Sequence, residues 1–391
     1  MWGAVGQKYL GRVTQASIRW SSSGSASIRW SSSGSFDREK GTHFSSLRLA
    51  ISSPRQLLFN AATHNMAKMG VEGRKSQDAV SWNPLGMAVF DGVGGWDSAG
   101  VDAGDFSAAL AENFVGELKN RREEDPFGAK FPTNDVHEIL AVAYDNAKTA
   151  FSGGSTACGI TITLDRDSVT PYYHIGNLGD SGVMIFRSKR FPSYYPHYVS
   201  QSMQHHFNCP FQLSSWGDKP VPETAVCDTP EDGSYAFVEA KEFDIVLLAT
   251  DGLFDNMHQI ELLNILNKTT LSLTQQLLND KDPRVLNSET GEIDERKLSK
   301  IVLCSLPIRL RNEFIRAAQH RMYRQEEPLV PFFLDARLHG YDMETMEAKV
   351  DDCGLVVAIV HKAALWTDLA ELKDQCVDLF DVKEEPSDYH G

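Results

Sequence analysis

The chain has 391 residues, of which 42% are hydrophobic and 23% charged, the proportions of an ordinary globular protein. The net charge of −15, with no basic block to offset it, argues against a nucleic-acid partner. No apolar run approaches the length of an integral membrane segment. The six cysteines are scattered without a Cys-x-x-Cys pair, which argues against a zinc site or a disulfide framework.

The N-terminal segment differs in composition from the rest of the chain. Residues 1–36 contain four basic residues, many serines and no Asp or Glu, and Ala16–Ser25 recurs unchanged as Ala26–Ser35. A basic, acid-free, Ser-rich composition is typical of an organellar transit peptide. We expect residues 1–46 to be a disordered leader that directs the protein to the mitochondrial matrix. A plastid or cytoplasmic location, and a tail that carries no address, are the alternatives.

The patterns of apolar residues predict one folded domain over residues 47–363, followed by an acidic tail over 364–391. Apolar runs predict strands at 87–90, 157–164, 172–178, 182–186, 235–239, 245–249 and 355–360, and a first strand or turn of core at 57–59 and 61–66. Helical spacing predicts helices from Asp105, from Thr133, and at 259–267, 271–278 and 301–323, the last kinked or delayed by Pro307. We expect residues 188–233 to be an irregular surface excursion and residues 281–300 to be an exposed insertion.

Acidic residues stand at the ends of three of the predicted strands. Met87–Phe90 ends in Asp91 and a glycine-rich turn, and the run from Val246 ends in Asp251. The pair Asp351–Asp352 comes directly before the last strand. Two carboxylates about 4 Å apart repel each other by roughly 4 kcal/mol at an effective dielectric constant near 20. If these strand ends meet, the cluster needs protons or hard cations, so the sequence predicts a divalent-metal site.

Five motifs occur in an order that resembles the metal-dependent PP2C (PPM) protein phosphatases, over about residues 65–362. The motifs are Phe90–Gly95, Gly153–Ala157, Gly179–Ser181, Ala249–Leu253 and Asp351–Asp352. Two further stretches, Phe254–Asn256 and His206–Leu213, resemble the branch that holds the mitochondrial members. The resemblance implies an α+β fold, an α-β-β-α sandwich of two antiparallel sheets flanked by helices, with the metals in a cleft at one end.

The resemblance also implies roles for particular residues, with Asp91, Asp251 and Asp351 as the catalytic set. The positions that would hold the ions are Asp91 as the bridge between two ions, Gly92 through its carbonyl, Asp251 and Asp351 on the first ion, Asp78 on metal-bound water and Asp180 on a weaker third ion. For Asp180 an ordinary hairpin turn is the alternative. Asp352 carries less weight as a ligand.

The sequence departs from the family pattern at three positions. Gln77 stands where an acidic residue is usual, which predicts a looser second ion. Val93 stands where some members carry a histidine proposed as a general acid. The phosphate-binding arginine has no aligned counterpart, and Arg74, or else Lys75, is the candidate to replace it. We expect His205 and His206 to belong to a packed flap beside the cleft.

By resemblance, the chain hydrolyses phosphoserine and phosphothreonine in phosphoprotein substrates, by attack of a hydroxide held between two ions, and acts as a monomer. The ligand set of oxygen atoms favours Mn²⁺ or Mg²⁺, as two ions with a possible third. Two alternatives stay open. One is a catalytically inactive binding or scaffold protein, suggested by Gln77 and by Cys353–Gly354 after the acidic pair; the other is a phosphatase of small phosphorylated metabolites.

Overall fold

The computed structural model describes residues 57–68, 75–124, 134–162, 170–223, 225–323, 329–341 and 348–362, and the backbone of residues 14–20 and 26–32. Its strands are β1 Thr14–Trp20, β2 Ala26–Ser32, β3 Leu57–Met66, β4 Ala79–Asn83, β5 Gly86–Phe90, β6 Gly153–Ser155, β7 Ala157–Ile162, β8 Tyr172–Leu178, β9 Gly182–Arg190, β10 Ser193–Val199, β11 Gln204–His206, β12 Cys209–Pro210, β13 Leu213–Ser215, β14 Ser234–Glu239, β15 Ile245–Ala249 and β16 Cys353–Lys362. Its α-helices are α1 Ala103–Glu124, α2 Val136–Ala150, α3 Asp251–Phe254, α4 Gln259–Asn279, α5 Glu295–Tyr323 and α6 Pro331–Leu338. Short 3-10 helices lie at Gly94–Ala99, Pro230–Asp232 and Pro283–Val285.

Two antiparallel sheets form the centre of the described structure, each with five strands. The first sheet has the order β10-β9-β15-β16-β3, and the second has the order β14-β8-β7-β5-β4. Val246 and Leu248 of β15 pack into the core between the sheets, whereas Leu247 and Ala249 pack on the opposite face. Because both faces of this strand are buried, its sequence is a continuous apolar run rather than an alternating one.

Helices cover the outer faces of both sheets. Helices α4 and α5 pack on the first sheet, and α1 and α2 pack on the second. The apolar stripe of α1, predicted from its spacing, is completely buried against the second sheet. The predicted α-β-β-α sandwich is therefore confirmed. None of the described helices is long and apolar enough to cross a membrane.

The prediction of an irregular excursion over residues 188–233 is wrong in its first part. Strand β9 continues to Arg190, and β10 pairs with it as the edge strand of the first sheet. The sequence of β10 lacks an alternating apolar pattern because all but one of its residues are exposed or only partly buried. Pro196 is tolerated there because an edge strand can spare a backbone hydrogen bond.

Two helix predictions also need correction. The segments 259–267 and 271–278 form the single helix α4, in which Thr270 donates its hydroxyl hydrogen to the carbonyl of Leu266 at 2.7 Å. Helix α5 begins at Glu295 and continues past Pro307, so residues 281–300 are not simply an exposed insertion. Val285 and Leu298 within that stretch are buried in a small core against α4.

Several predictions lie wholly or partly outside the described residues. The backbone of β1 and β2 pairs the two copies of the repeat as antiparallel strands. The remainder of residues 1–56 and the tail from 363 onward are not described, so the leader and the acidic tail stay predictions. Thr133, the predicted start of α2, is also outside the described residues. The described helix is capped by the side chain of Asp135, which accepts from the backbone of His137.

A buried ion pair connects the two sheets at the end of β15 away from Asp251. Two guanidinium nitrogens of Arg187 on β9 donate to the two carboxylate oxygens of Asp244 at 2.8 and 2.7 Å. The hydroxyl of Tyr173, on β8 of the second sheet, donates to the same carboxylate at 3.0 Å. Arg187 and Asp244 are both buried, so removal of either partner leaves a buried charge without its counterion.

We expect Arg187→Met to lower the free energy of unfolding by about 3–5 kcal/mol, because it leaves Asp244 buried and unpaired. Urea unfolding in the presence of a chelator measures this loss. The matched control is Arg316→Met, which removes an exposed pair with Glu313 and should cost less than about 1 kcal/mol. Equal losses in the two variants would contradict a stabilising role of the buried pair.

Candidate metal centre

Three carboxylates meet at one end of the sandwich. Asp91 directly follows β5, Asp180 lies in the link between β8 and β9, and Asp251 is the first residue of α3, after β15. One carboxylate oxygen from each lies within 4.8 Å of the others. Since β5 and β8 belong to the second sheet and β15 to the first, the packing of the two sheets is what brings these side chains together.

Asp78 and Asp351 lie at the edge of this group of three. Asp78 directly precedes β4, and its carboxylate accepts the hydroxyl hydrogen of Thr250 at 2.8 Å. Asp351 precedes β16 and is about a quarter exposed. Both carboxylates are close enough to Asp251 for its negative charge to raise their pKa values. The structure thus gathers all the predicted acidic residues around one cleft, but it places only Asp91, Asp180 and Asp251 in the tight group.

The carboxylates in the cleft are difficult to ionise without a cation. Burial, together with the charge of Asp251, raises the pKa values of Asp91 and Asp180 well above the ordinary range. Burial also raises the pKa of Asp78, although its hydrogen bond from Thr250 works in the opposite direction. Such a group of acids is stable either with bound protons or with bound cations.

Lys349 supplies a positive charge to this cleft, and the sequence analysis did not single it out. Its ammonium group contacts Asp251 and lies 2.9 Å from Asp255 and 3.3 Å from Asp351. Burial opposes the ionisation of Asp251, but the contact with Lys349 outweighs it and lowers the pKa of that carboxyl. The position of Lys349, two residues before Asp351, was the only sequence feature that placed this lysine near the cleft.

Known proteins are similar to this chain in sequence or in fold. Over 185 residues, 46% of this chain, the sequence is 36% identical to the protein phosphatase PTC7 homolog fig of Drosophila ananassae, of which half is matched. It is also 36% identical over 196 residues to the protein phosphatase PTC7 homolog of Danio rerio, a match that covers 49% of this chain and 60% of that protein. The photosystem II phosphatase PBCP superposes with a TM-score of 0.54 at 20% identity, over 77% of this chain and 98% of that one.

In sequence and fold the chain resembles the PP2C (PPM) protein phosphatases. No family model matches the sequence. The chain spans about half the length of the first curated relatives that it matches. The superposition on PBCP establishes the sandwich fold alone, and the roles of individual residues come from the geometry of this structure.

Two positions of the PP2C pattern are shaped by backbone contacts. Gly92 donates its backbone N–H to the carbonyl of Gln77 at 3.2 Å, and a Cβ atom on Gly92 would lie 2.5 Å from that oxygen. Only glycine permits this close approach. The side-chain amide of Gln77 donates to Asp97 at 3.0 Å and to Asp102 at 3.3 Å. The side chain of Gln77 therefore connects the loop after β5 with the start of α1.

The other two departures have different outcomes. Val93 packs against a small apolar cluster of Trp96, Val101 and Ala103. It therefore provides an apolar contact at the position where some PP2C members have a histidine. Arg74, the candidate phosphate-binding residue, lies outside the described residues and stays a prediction, and its alternative Lys75 is exposed.

Asp255 and Asp352 have larger roles than the sequence analysis gave them. Asp255 lies four residues after Asp251, and burial together with the charge of Asp251 raises its pKa to about 7, against the opposing effect of Lys349. Asp352 is buried, and its two carboxylate oxygens accept from the backbone N–H groups of Lys68 at 2.8 Å and Gln77 at 2.7 Å. The spacing of four residues between Asp251 and Asp255, about one helical turn, was the sequence feature that could have placed Asp255 beside Asp251. For Asp352 no local signal existed, because its partners are 284 and 275 residues away.

The histidines of the predicted flap make contacts of their own. The flap is the short hairpin of β11 and β12, Gln204–Pro210. The ring of His205 stacks on Phe211 with centroids 4.0 Å apart, and its Nε2 lies 2.9 Å from Asp228. Gln204 donates its side-chain amide to Asp180 at 3.3 Å. The flap thus contacts the acidic group through Gln204. His205 stacks on Phe211 but stays exposed, and His206 is exposed, so the two histidines are less packed than predicted.

The adjacent residues Asp351 and Asp352 provide a matched pair of variants. We expect Asp352→Asn to lower the free energy of unfolding of the metal-free protein by about 1.5–3 kcal/mol, since one of two charge-assisted hydrogen bonds is lost. Asp351→Asn removes a partly exposed charge and should cost less than about 1 kcal/mol in the same urea experiment. It should, however, weaken the binding of Mn²⁺ more than Asp352→Asn does. The reverse ranking in both measurements would contradict these roles.

The raised pKa values predict an unusual pH dependence of the metal-free protein. A carboxyl whose pKa is higher in the folded state binds protons more tightly there, so its contribution to stability is lost as pH rises above the ordinary value near 4. In chelator, the free energy of unfolding should fall from about pH 4 up to the raised pKa of Asp255 at about 7, and Mn²⁺ should restore it at the upper end. Asp91→Asn, which removes one of these groups, should show a shallower fall. Parallel pH profiles for the two proteins would exclude Asp91 as a source of the effect.

Proposed function

We propose that this chain is a metal-dependent protein serine/threonine phosphatase that acts on phosphoprotein substrates. The observation that carries the proposal is the group of carboxylates from Asp91, Asp180 and Asp251, gathered at one end of a PP2C-type sandwich. The relatives from Drosophila ananassae and Danio rerio are named protein phosphatases, and they match this chain over about half of its length. The order of the acidic motifs along the chain supports the same conclusion.

The donor atoms fit Mn²⁺ or Mg²⁺. In the part of the chain that the structure describes, the tight group contains carboxylates only, without histidine or cysteine. Hard dications of this kind prefer oxygen ligands, whereas zinc prefers nitrogen and sulfur. We assign two ions to Asp91, Asp251, Asp351 and the carbonyl of Gly92, and a third, weaker ion to Asp180. When bound, such ions supply an activated water at neutral pH and neutralise charge on the phosphoryl oxygens.

The residues of this chain hold the site rigidly. Asp91 and Asp251 are mounted on the ends of two buried strands, so their carboxylates have little freedom to move apart. The hydroxyl of Thr250 donates to Asp78 and accepts from the backbone of Gly354 at 2.9 Å, which orients the Asp78 carboxylate toward the cleft. Asp78 would in turn accept a hydrogen bond from water in the cleft. A site that is organised before the reaction avoids the cost of reorganisation during it.

The binding of the phosphate group and the location in the cell are further parts of the proposal. Arg74 remains the candidate for the phosphate contact, and the family resemblance supports it only by position. The basic, acid-free composition of residues 1–36 supports a mitochondrial location. A monomer suffices for the proposed site, because every residue assigned to it comes from one chain.

We expect the protein to hydrolyse phosphoserine and phosphothreonine peptides only when Mn²⁺ or Mg²⁺ is present, and to lose this activity in chelator. Asp251→Asn should lower kcat/KM by at least about a hundredfold, because it removes a ligand at the centre of the carboxylate group. Release of inorganic phosphate from the peptides measures both effects. Asp145→Asn is the charge-matched control, since it changes an exposed aspartate on α2 and should keep full activity.

Each contrary outcome of this experiment favours a different function. Full activity in chelator would contradict metal dependence. Tight Mn²⁺ binding without hydrolysis of any phosphoester would favour the inactive binding or scaffold protein. Faster turnover of sugar phosphates than of phosphopeptides would favour a phosphatase of small metabolites.

A further inference from the structure

Lys349 lies inside the carboxylate cleft rather than on its rim. Its ammonium group is in ion-pair contact with three carboxylates, those of Asp251, Asp255 and Asp351. The side chain is only 16% exposed, and that of Asp251 is 9% exposed. The positive charge of this ammonium group reduces the repulsion between the three carboxylates.

The contacts of Lys349 involve the same residues that we assign to the first ion. Its contacts are with the Oδ2 atoms of Asp251 and Asp351, and both of these residues belong to the proposed ligand set. A dication bound to these oxygens would repel an adjacent ammonium group twice as strongly as a monovalent cation does. A dication on these oxygens would therefore compete with Lys349 for the same two carboxylates.

Lys349 also contacts an aromatic ring beside the cleft. The ammonium group lies 5.2 Å from the ring centroid of Phe332, which is near enough for a cation–π contact. The backbone N–H of Phe332 donates to the carbonyl of Asp255 at 3.0 Å, which fixes the ring next to the cleft. This aromatic contact does not involve the carboxylates for which a dication would compete.

We propose that Lys349 is a built-in competitor of the metal: it holds Asp251, Asp255 and Asp351 together in the metal-free protein, and a dication must displace it in order to bind. Lys349 then sets the metal concentration at which the site fills. This inference rests on the proposed function, because it concerns the same metal site.

Lys68 does not share this role, although it is also a cation near the cleft. Its ammonium group lies 3.7 Å from Asp351 and is more exposed than that of Lys349. It has no ion pair with Asp251 among the contacts of the described residues. Displacement of Lys68 by a metal is therefore not required for Asp251 to become a ligand.

Calorimetric titration of the metal-free, full-length protein with Mn²⁺ tests the inference. If the lysine-bound form makes up about nine-tenths of the metal-free protein, the apparent Kd is about tenfold weaker than the intrinsic one. We therefore expect Lys349→Met to bind Mn²⁺ at least about tenfold more tightly than the wild type does. Lys362→Met, which removes a lysine from an exposed pair with Glu242, is the control and should leave the Kd unchanged.

The possible outcomes separate this inference from the proposed function. Equal or weaker Mn²⁺ binding by Lys349→Met, with clear binding by the wild type, would overturn the inference and leave the metal site intact. If neither protein binds Mn²⁺ at millimolar concentrations, both the metal site and the competition are overturned. Binding by Lys349→Met alone would support the competition in its strongest form.

A measurement on the wild type keeps the test decisive if Lys349→Met does not fold. Amine acylation followed by mass spectrometry reports how accessible each lysine is. Labelling of Lys349 should rise severalfold when Mn²⁺ is added, because the ammonium group is released from its three carboxylates, whereas labelling of Lys362 should not change. Unchanged or reduced labelling of Lys349 would overturn the inference.

Discussion

The mutual repulsion of buried carboxylates is the constraint on which the rest of this structure depends. Asp91, Asp180 and Asp251 place oxygens within 4.8 Å of one another, with Asp78, Asp255 and Asp351 close by. No arrangement of so many negative charges is stable in a low-dielectric cleft without protons or cations. Lys349 neutralises part of this negative charge, and the proposed dications would neutralise the remainder. The stability of the protein and its proposed catalysis therefore depend on the same charges.

The sandwich fold is suited to holding such a strained group. The acids stand at the ends of strands whose apolar residues are buried on both faces, and each sheet contributes to the cluster. Hydrogen bonds around Thr250 and Asp352 connect the loop before β4 with the start of β16. At the other end of β15, the buried pair of Arg187 and Asp244 ties the two sheets together. The cleft is thus assembled from rigid elements, which lets its carboxylates stay close despite their repulsion.

The departures from the PP2C pattern are local adaptations of this frame. Gln77 exchanges a carboxylate for an amide that binds Asp97 and Asp102, and so reduces the negative charge beside the cleft. Val93 contributes an apolar contact in place of a titratable group. Neither change removes an oxygen from the tight group of Asp91, Asp180 and Asp251. These observations support the proposed phosphatase activity over the alternative of an inactive scaffold protein.

The sequence by itself determined most of the strands and helices and most of the acidic residues around the cleft, because apolar runs and acidic residues at strand ends are local features. The layered architecture was implied only by the family resemblance. The same local reasoning missed β10, whose side chains are too exposed to leave an apolar pattern, and divided α4 at a polar stretch that its own hydrogen bonds satisfy. Only the tertiary structure showed that Asp180, rather than Asp351, completes the tight group, and that Lys349 and Asp352 bind partners far away in the chain. Such contacts depend on how the two sheets pack against each other. They join residues far apart in the chain, so no local sequence pattern predicts them.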